Sequence, residues 1–218
     1  SIRLDDPPFA PRAKIVGSRS EWSAFLAKAD AGQGLSLLRE DEVPRDLSSG
    51  EPITAGFFAI AKSLDEDRTI TNRIPMNSQE QSLGLCGDLL GHGTCFADVV
   101  LRHDEDLRVS LFDMPSCYHR AKVSFDRVRT NAVGSLRPTA DLGDGFARRE
   151  LVARCARDGV PVPERVFAAF RSLPMGDINA VDFVQVAHIN MLARQQVVDP
   201  TTLIRYRGSF PNVPVAAG

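Results

Sequence analysis

Four stretches of the chain carry apolar residues at helical spacing. In residues 21–31, Trp22, Phe25 and Leu26 share one face and Ser20 stands at a cap position, which predicts a helix. Residues 148–158 and 164–173 predict two more, split by the breaker run Gly159-Val160-Pro161-Val162-Pro163, with Val166, Phe167 and Phe170 packing the second. From Asp177 onward, Ala180, Phe183, Val184, Ala187 and Met191 recur at helical intervals, and Asp177 suits the positive end of that helix dipole.

Other stretches read as strands. Phe57-Phe58-Ala59-Ile60-Ala61-Lys62 is an apolar run ending in a base, followed by the acidic turn Leu64-Asp65-Glu66-Asp67 and a second extended stretch from Arg68. Val109 to Phe112 is a further apolar run, with Asp113 at or just past its end. Residues 1–20 form a proline-rich lead-in, 44–52 a loop, and 135–145 a connector rich in Pro, Gly and Asp. Strands and helices mixed in this order predict an α+β fold.

Composition narrows the class. A chain of 218 residues buries a substantial core in one domain or two subdomains. No apolar run spans a membrane and no secretory h-region opens the chain, so an intracellular protein, cytoplasmic or nuclear, is expected. The chain begins with Ser1, which suggests a fragment or a processed product. The net charge of −2 does not favour nucleic-acid binding, but bases gather locally. One group is Arg120, Lys122, Arg127, Arg129 and Arg137; the other is Arg148, Arg149, Arg154, Arg157, Arg165 and Arg171. They suit a template groove, and a solvated helix face explains the second group equally well. Cys86, His92, Cys95, His103, Cys117 and His119 lack the tight paired spacing of a zinc site, so Cys117 and Cys155 read as reduced, mostly buried thiols.

The chemistry concentrates in three segments. Leu111-Phe112-Asp113-Met114-Pro115-Ser116-Cys117-Tyr118 delivers one carboxylate from an apolar run, with an aromatic five positions later. A carboxylate so placed is costly unless it meets a cation, and a turn or cap role is the plain alternative. Leu173-Pro174-Met175-Gly176-Asp177 is a rigid turn in which Gly176 allows close backbone approach, running on through Asn179, Ala180, Phe183 and Gln185. Lys62 and Arg68 flank the acidic hairpin tip, and Asn77 closes the stretch that follows.

In this order the segments resemble the reverse-transcriptase family. Asp113 to Tyr118 resembles its first catalytic motif. Leu173 to Gln185 is similar to its Leu-Pro-x-Gly…Asn-Ala…Phe-Gln motif without a gap, and residues 57–77 resemble the fingers hairpin. Asn72 departs from the usual aspartate, Arg73 falls one place early, and Ile74 stands where an arginine is common. The resemblance implies a right-hand fingers and partial palm, the palm an antiparallel sheet with helices on one face. It implies that Asp113, with the Met114 carbonyl, ligates Mg2+, with Mn2+ as a substitute. It implies that Lys62 and Arg68 hold the triphosphate and that Tyr118 excludes a ribose 2′-hydroxyl. Met175 and Gly176 would then border the nascent base pair, and Gln185 would support the motif helix.

The family's aromatic-x-Asp-Asp motif is absent, and the only adjacent aspartates, Asp5-Asp6, precede Pro7-Pro8. Two metals about 3.5–4 Å apart need several carboxylates, so the chain should not polymerise alone. The expected organisation is an N-terminal extension (1–55), fingers hairpin (56–84), first palm part (85–121), fingers connector (122–172) and second palm part (173–218). The expected function is a reverse-transcriptase-like fragment of a retroelement polyprotein. Its partners would be an RNA or DNA template-primer, a dNTP and the missing palm segment, with no membrane. The alternatives are a non-catalytic nucleic-acid-binding or assembly module derived from such a polymerase, and an unrelated α+β protein.

Overall fold

The computed structural model describes residues 12–85, 90–91, 93–107 and 113–204. The fold is mixed α+β, with two small antiparallel sheets and helices. The strand expected at Val109–Phe112, the residues Cys86 and His92, and the lead-in before Arg12 lie outside the described residues. The chain divides into two compact units, each made of two segments: Ser1–Gln81 with Ser116–Ile178, and Ser82–Pro115 with Asn179–Gly218.

The first unit is built on a three-stranded sheet, β1 (Leu35–Leu38), β5 (Arg165–Phe170) and β4 (Ala132–Pro138), with β5 in the centre. Pairings Leu35↔Phe170, Leu37↔Ala168 and Ala132↔Ala169 set the register. Alternate residues of β5 point to opposite faces, and both faces are covered. Val166 and Ala168 join Leu35, Leu37, Trp22, Leu26, Leu151 and Phe57 on one side. Phe167 and Ala169 join Leu38, Val43, Val128 and Ala132 on the other.

This corrects the helix expected at 164–173. A strand buried on both faces shows no polar alternation, so its apolar run is indistinguishable by pattern from a buried helix segment. The connector expected at 135–145 is also corrected. Arg137 and Pro138 pair with Val166 and Arg165, so the strand continues to Pro138 and the loop proper begins with a 3-10 turn, Thr139–Leu142.

Helix α1 (Arg19–Ala31) buries Trp22 and Leu26 as expected, but its cap is Ser18, not Ser20. Glu21 N–H donates to Ser18 Oγ at 3.2 Å, and Ser18 N–H donates to the Glu21 carboxylate at 2.7 Å. That reciprocal box needs a carboxylate three residues after the cap, and only Ser18 has one there. The Ser18 hydroxyl, then its backbone N–H, holds the Glu21 carboxyl below its ordinary range.

Two short pieces precede β4: α3 (Cys117–Arg120) and α4 (Phe125–Arg129). Lys122 forms a single bridge, Lys122↔Ser172, followed by a helical turn. Helix α5 (Phe146–Asp158) lies where predicted and buries Ala147, Leu151 and Cys155. Its N-terminus is capped at a distance, because Ala147 N–H donates to Asp30 at 2.7 Å. A Cβ on Gly145 would collide with the Asp30 carboxylate, so the approach requires glycine.

The second group of arginines is largely consumed within the fold. Arg154 donates to Glu42 and the Leu37 carbonyl, Arg171 pairs with Glu150, and Arg148 pairs with Asp144. Burying Leu151 or Val166 contributes about 1.5–3 kcal/mol each. An exposed ion pair contributes roughly 0–1 kcal/mol, so the apolar faces hold this unit.

The stretch expected as a hairpin forms one, β2 (Gly56–Ala61) and β3 (Asp67–Asn72), with Ile60 opposite Arg68. It leads into the short helix α2 (Ile74–Asn77). The second unit contains α6 (Ala180–Arg194). It starts three residues later than expected, and its expected apolar face is fully buried only at Ala180: Phe183 is 41% and Met191 48% exposed, whereas the carboxylate-bearing Asp182 is buried. No described helix is long and apolar enough to cross a membrane.

The capping assignment is testable by urea or thermal unfolding. Ser18→Ala should lower stability by about 1 kcal/mol, whereas Ser20→Ala should stay within roughly 0.5 kcal/mol of the parent. Equal losses at the two positions would remove the cap from Ser18.

Candidate functional site

The turn after β5 brings two of the expected site residues, Met175 and Gly176, beside a group of buried charges. Asp177 N–H donates to the Pro174 carbonyl at 3.2 Å, closing a four-residue turn with Gly176 third. Gly176 has φ +93, which that position of a type II turn requires and which a side chain would strain. Asn77 clasps the turn from outside: its Nδ2 donates to Gly176 O at 2.8 Å, and its Oδ1 accepts from Ile178 N–H at 3.1 Å. One side-chain amide thus satisfies one acceptor and one donor of an irregular backbone.

Beneath the turn lies a buried four-charge cluster. The Arg73 side chain is 0% exposed and sits between Glu80 at 3.0 Å and Asp177 at 3.3 Å. Arg127 grips Glu80 with two parallel bonds, 2.7 and 2.9 Å, and also donates to Asp177. Two cations and two carboxylates cancel, which is the condition for keeping charge in the interior. Arg73 Nη1 donates further to Thr130 O and, at 2.5 Å, to Asn131 Oδ1. Asn131 in turn donates to Phe170 O and Ser172 O, fixing the end of β5 that feeds the turn.

Burial lowers the Arg73 guanidinium below its ordinary value, and the charges of Asp177 and Glu80 offset only part of that. Burial also pulls on Arg127, but the hydrogen bond and charge of Glu80, then those of Asp177, outweigh it and the net direction is upward. Arg73 Nε is buried without a hydrogen-bond partner. The cluster therefore carries a desolvation cost at Arg73, and its effect is to fix geometry rather than to add much stability.

The expected site residues are distributed as follows. In the first unit, Met175 is 39% exposed at the turn, beside Gly176. Gly176 lies next to β3, where an added Cβ would stand 3.5 Å from Thr71 O. Arg68 is exposed on β3, and Lys62 lies just past β2, paired with Glu66 at 2.6 Å. Tyr118 is half-buried in α3, after Ser116 in a left-handed conformation at φ 56. Asp113, Met114 and Gln185 belong to the second unit, where Asp113 and Met114 are exposed.

Among the described residues, no three His, Cys, Asp or Glu side chains gather as a metal site. Asp113 with the Met114 carbonyl is too small a donor set for two-metal chemistry. Cys117 is half-buried and Cys155 buried, both as free thiols.

Sequence reasoning missed Arg73, Glu80, Arg127 and Asn131 as a unit, and it assigned Asp177 to a helix dipole. The helix begins only at Ala180, so Asp177 is free to turn inward to Arg127 and Arg73. The available signal was the single charge of Asp177 in an otherwise apolar turn, Leu173-Pro174-Met175-Gly176. No protein-family model matches the chain, and no curated protein matches it in sequence.

Two substitutions separate the clasp from the cluster. Asn77→Ala should cost about 1–2 kcal/mol and speed hydrogen exchange at the Ile178 amide. Unchanged exchange there would remove Asn77 from the turn. Arg73→Met should cost about 3–5 kcal/mol, because two carboxylates then share Arg127. Combining it with Asp177→Asn should cost less than the sum of the single changes, since neutrality returns. Strict additivity in denaturant unfolding would show that the four charges do not act together.

Proposed function

We propose that this chain is the fingers and partial palm of a reverse-transcriptase-like polymerase, binding template-primer and nucleoside triphosphate. The observation that carries the reading is the Asn77 clasp. The residue matching the closing asparagine of the fingers signature holds the Gly176 turn of the Leu-Pro-Met-Gly motif by two hydrogen bonds. Two motifs separated by about a hundred residues of sequence are expected to meet only if they serve one site.

In this reading each residue has a binding or orienting task. Arg68 and Lys62 reach the triphosphate from the hairpin, where paired long cations match phosphate oxygens. The Lys62–Glu66 pair opens at little cost because both groups are exposed. The flat ring of Tyr118 lies under the sugar and leaves no room for a 2′-hydroxyl. Gly176 lets the backbone approach the base pair, Met175 covers its edge, and Gln185 supports its own motif helix. Asp113 supplies one carboxylate towards Mg2+ or Mn2+, and the remaining carboxylates come from an aromatic-x-Asp-Asp segment outside this sequence.

Primer-extension and binding assays test this directly. The chain alone should bind primer–template with an affinity that falls as salt rises, and should extend nothing. Joined to a palm segment carrying aromatic-x-Asp-Asp, it should extend a primer; Asp113→Asn should then abolish extension and Tyr118→Ala should admit ribonucleotides. Arg68→Ala should weaken triphosphate binding about tenfold, a change of about 1.4 kcal/mol, and Glu66→Ala should tighten it by releasing Lys62. Binding without extension after the palm segment is joined would favour a non-catalytic nucleic-acid-binding module. Full activity of Asp113→Asn would remove Asp113 from the chemistry.

A further inference from the structure

A cavity of about 250 Å3 opens between α1, the hairpin and the strand end at Ser172, all within the first unit. Its floor is aromatic. Phe25, Phe57 and Phe170 contact one another with ring centroids 4.7, 5.6 and 5.9 Å apart. Thr69 and Thr71 of β3 form one wall, and Lys122 and His119 stand at the rim with Ser172. Among the described residues, no carboxylate lines it. The larger grooves of the same unit differ in this respect: one carries Glu40, Asp46 and Glu51, and another Asp141 and Glu164.

The Lys122 ammonium is exposed, and among the described residues it makes only a long hydrogen bond to Gln33 O, 3.4 Å, with no carboxylate to neutralise its charge. An apolar ring floor, hydroxyl walls and an uncompensated cation at the mouth are complementary to one kind of ligand. We propose that this cavity binds a single-ring aromatic anion, a ring bearing one carboxylate or phosphate group. The ring stacks on Phe25, Phe57 and Phe170, the anion meets Lys122, and Thr69 or Thr71 takes a polar ring substituent. The volume falls below the roughly 300–1,000 Å3 of pockets for drug-sized ligands, which limits the occupant to one ring rather than a whole nucleotide.

The site is independent of the polymerase reading, since it uses none of the residues assigned there to triphosphate, sugar or metal. It still adjoins the turn, because Pro174 lines it and Thr71 stands beside Gly176. Occupancy therefore braces β3 against the turn.

The protein contains its own reporter. Trp22 is the only tryptophan, and its ring lies 5.6 Å from Phe25 and 5.0 Å from Phe57. Titrating the full chain with phenyl phosphate should change Trp22 fluorescence saturably. Benzyl alcohol, a ring without charge, and inorganic phosphate, a charge without a ring, should each bind at least about tenfold more weakly. Lys122→Met, a change at an exposed side chain, should weaken phenyl phosphate at least about fivefold while leaving benzyl alcohol unaltered. Ala29→Phe should fill the cavity and abolish the response; where that variant does not fold, Thr71→Val should still alter the affinity for 4-hydroxybenzoate. Saturable binding that is indifferent to Lys122→Met, equal or tighter binding of uridine monophosphate through these residues, or no saturable response at all would each overturn the proposal.

Discussion

The neutral cluster of Arg73, Glu80, Arg127 and Asp177 is the constraint on which the turn region depends. It gathers groups from the end of the hairpin, from the segment after α2, from α4 and from the turn itself. Charge neutrality inside the protein admits few arrangements, because each guanidinium fork must meet its carboxylate at hydrogen-bond distance. Through Asn131 the same cluster reaches the backbone at Phe170 and Ser172, so the end of the central strand and the start of the turn move as one.

Apolar packing supplies the frame to which that cluster is fixed. Strand β5 is buried on both faces and divides the core of the first unit into two layers. Small side chains at Ala168 and Ala169 let the layers close on a three-stranded sheet, and Leu35 and Leu37 meet Leu151 and Cys155 of α5 above it. Packing of this kind provides most of the stabilisation, while the ion pairs choose among packed alternatives. The distant cap of α5 by Asp30 follows the same logic. Gly145 gives up a local side-chain cap, and the carboxylate at the end of α1 closes in on the exposed helix amides instead.

The candidate site divides along the two units. The turn, the hairpin cations and Tyr118 belong to the first, and Asp113, Met114 and Gln185 to the second. The portion in the first unit is preorganised, with Gly176 in its positive-φ conformation and Asn77 bonded to both sides of it. The second unit holds the exposed carboxylate of Asp113 and a helix with Phe183 and Met191 exposed. The turn of the first unit is therefore fixed by its own contacts, whereas Asp113 is exposed.

Local signals in the sequence determined the α1 and α5 helices, the hairpin around Asp65 and Glu66, and the rigid turn at Pro174 and Gly176. Each depends on neighbours within a few residues: helical spacing, an acidic tip between extended runs, or the backbone freedom of glycine. Capping geometry was nearly legible, and Ser18 displaced Ser20 only because Glu21 is three residues after it. Tertiary structure alone decided the rest. The run from Val166 to Phe170 became a strand because Leu35–Leu38 and Ala132–Pro138 pair with it on either side, which no pattern within the run reveals. Asp177 became half of an interior charge balance because Arg73 and Arg127 arrive from about a hundred and about fifty residues away. Periodicity is a property of adjacent residues, whereas neutralising a buried charge depends on partners that only folding brings within reach.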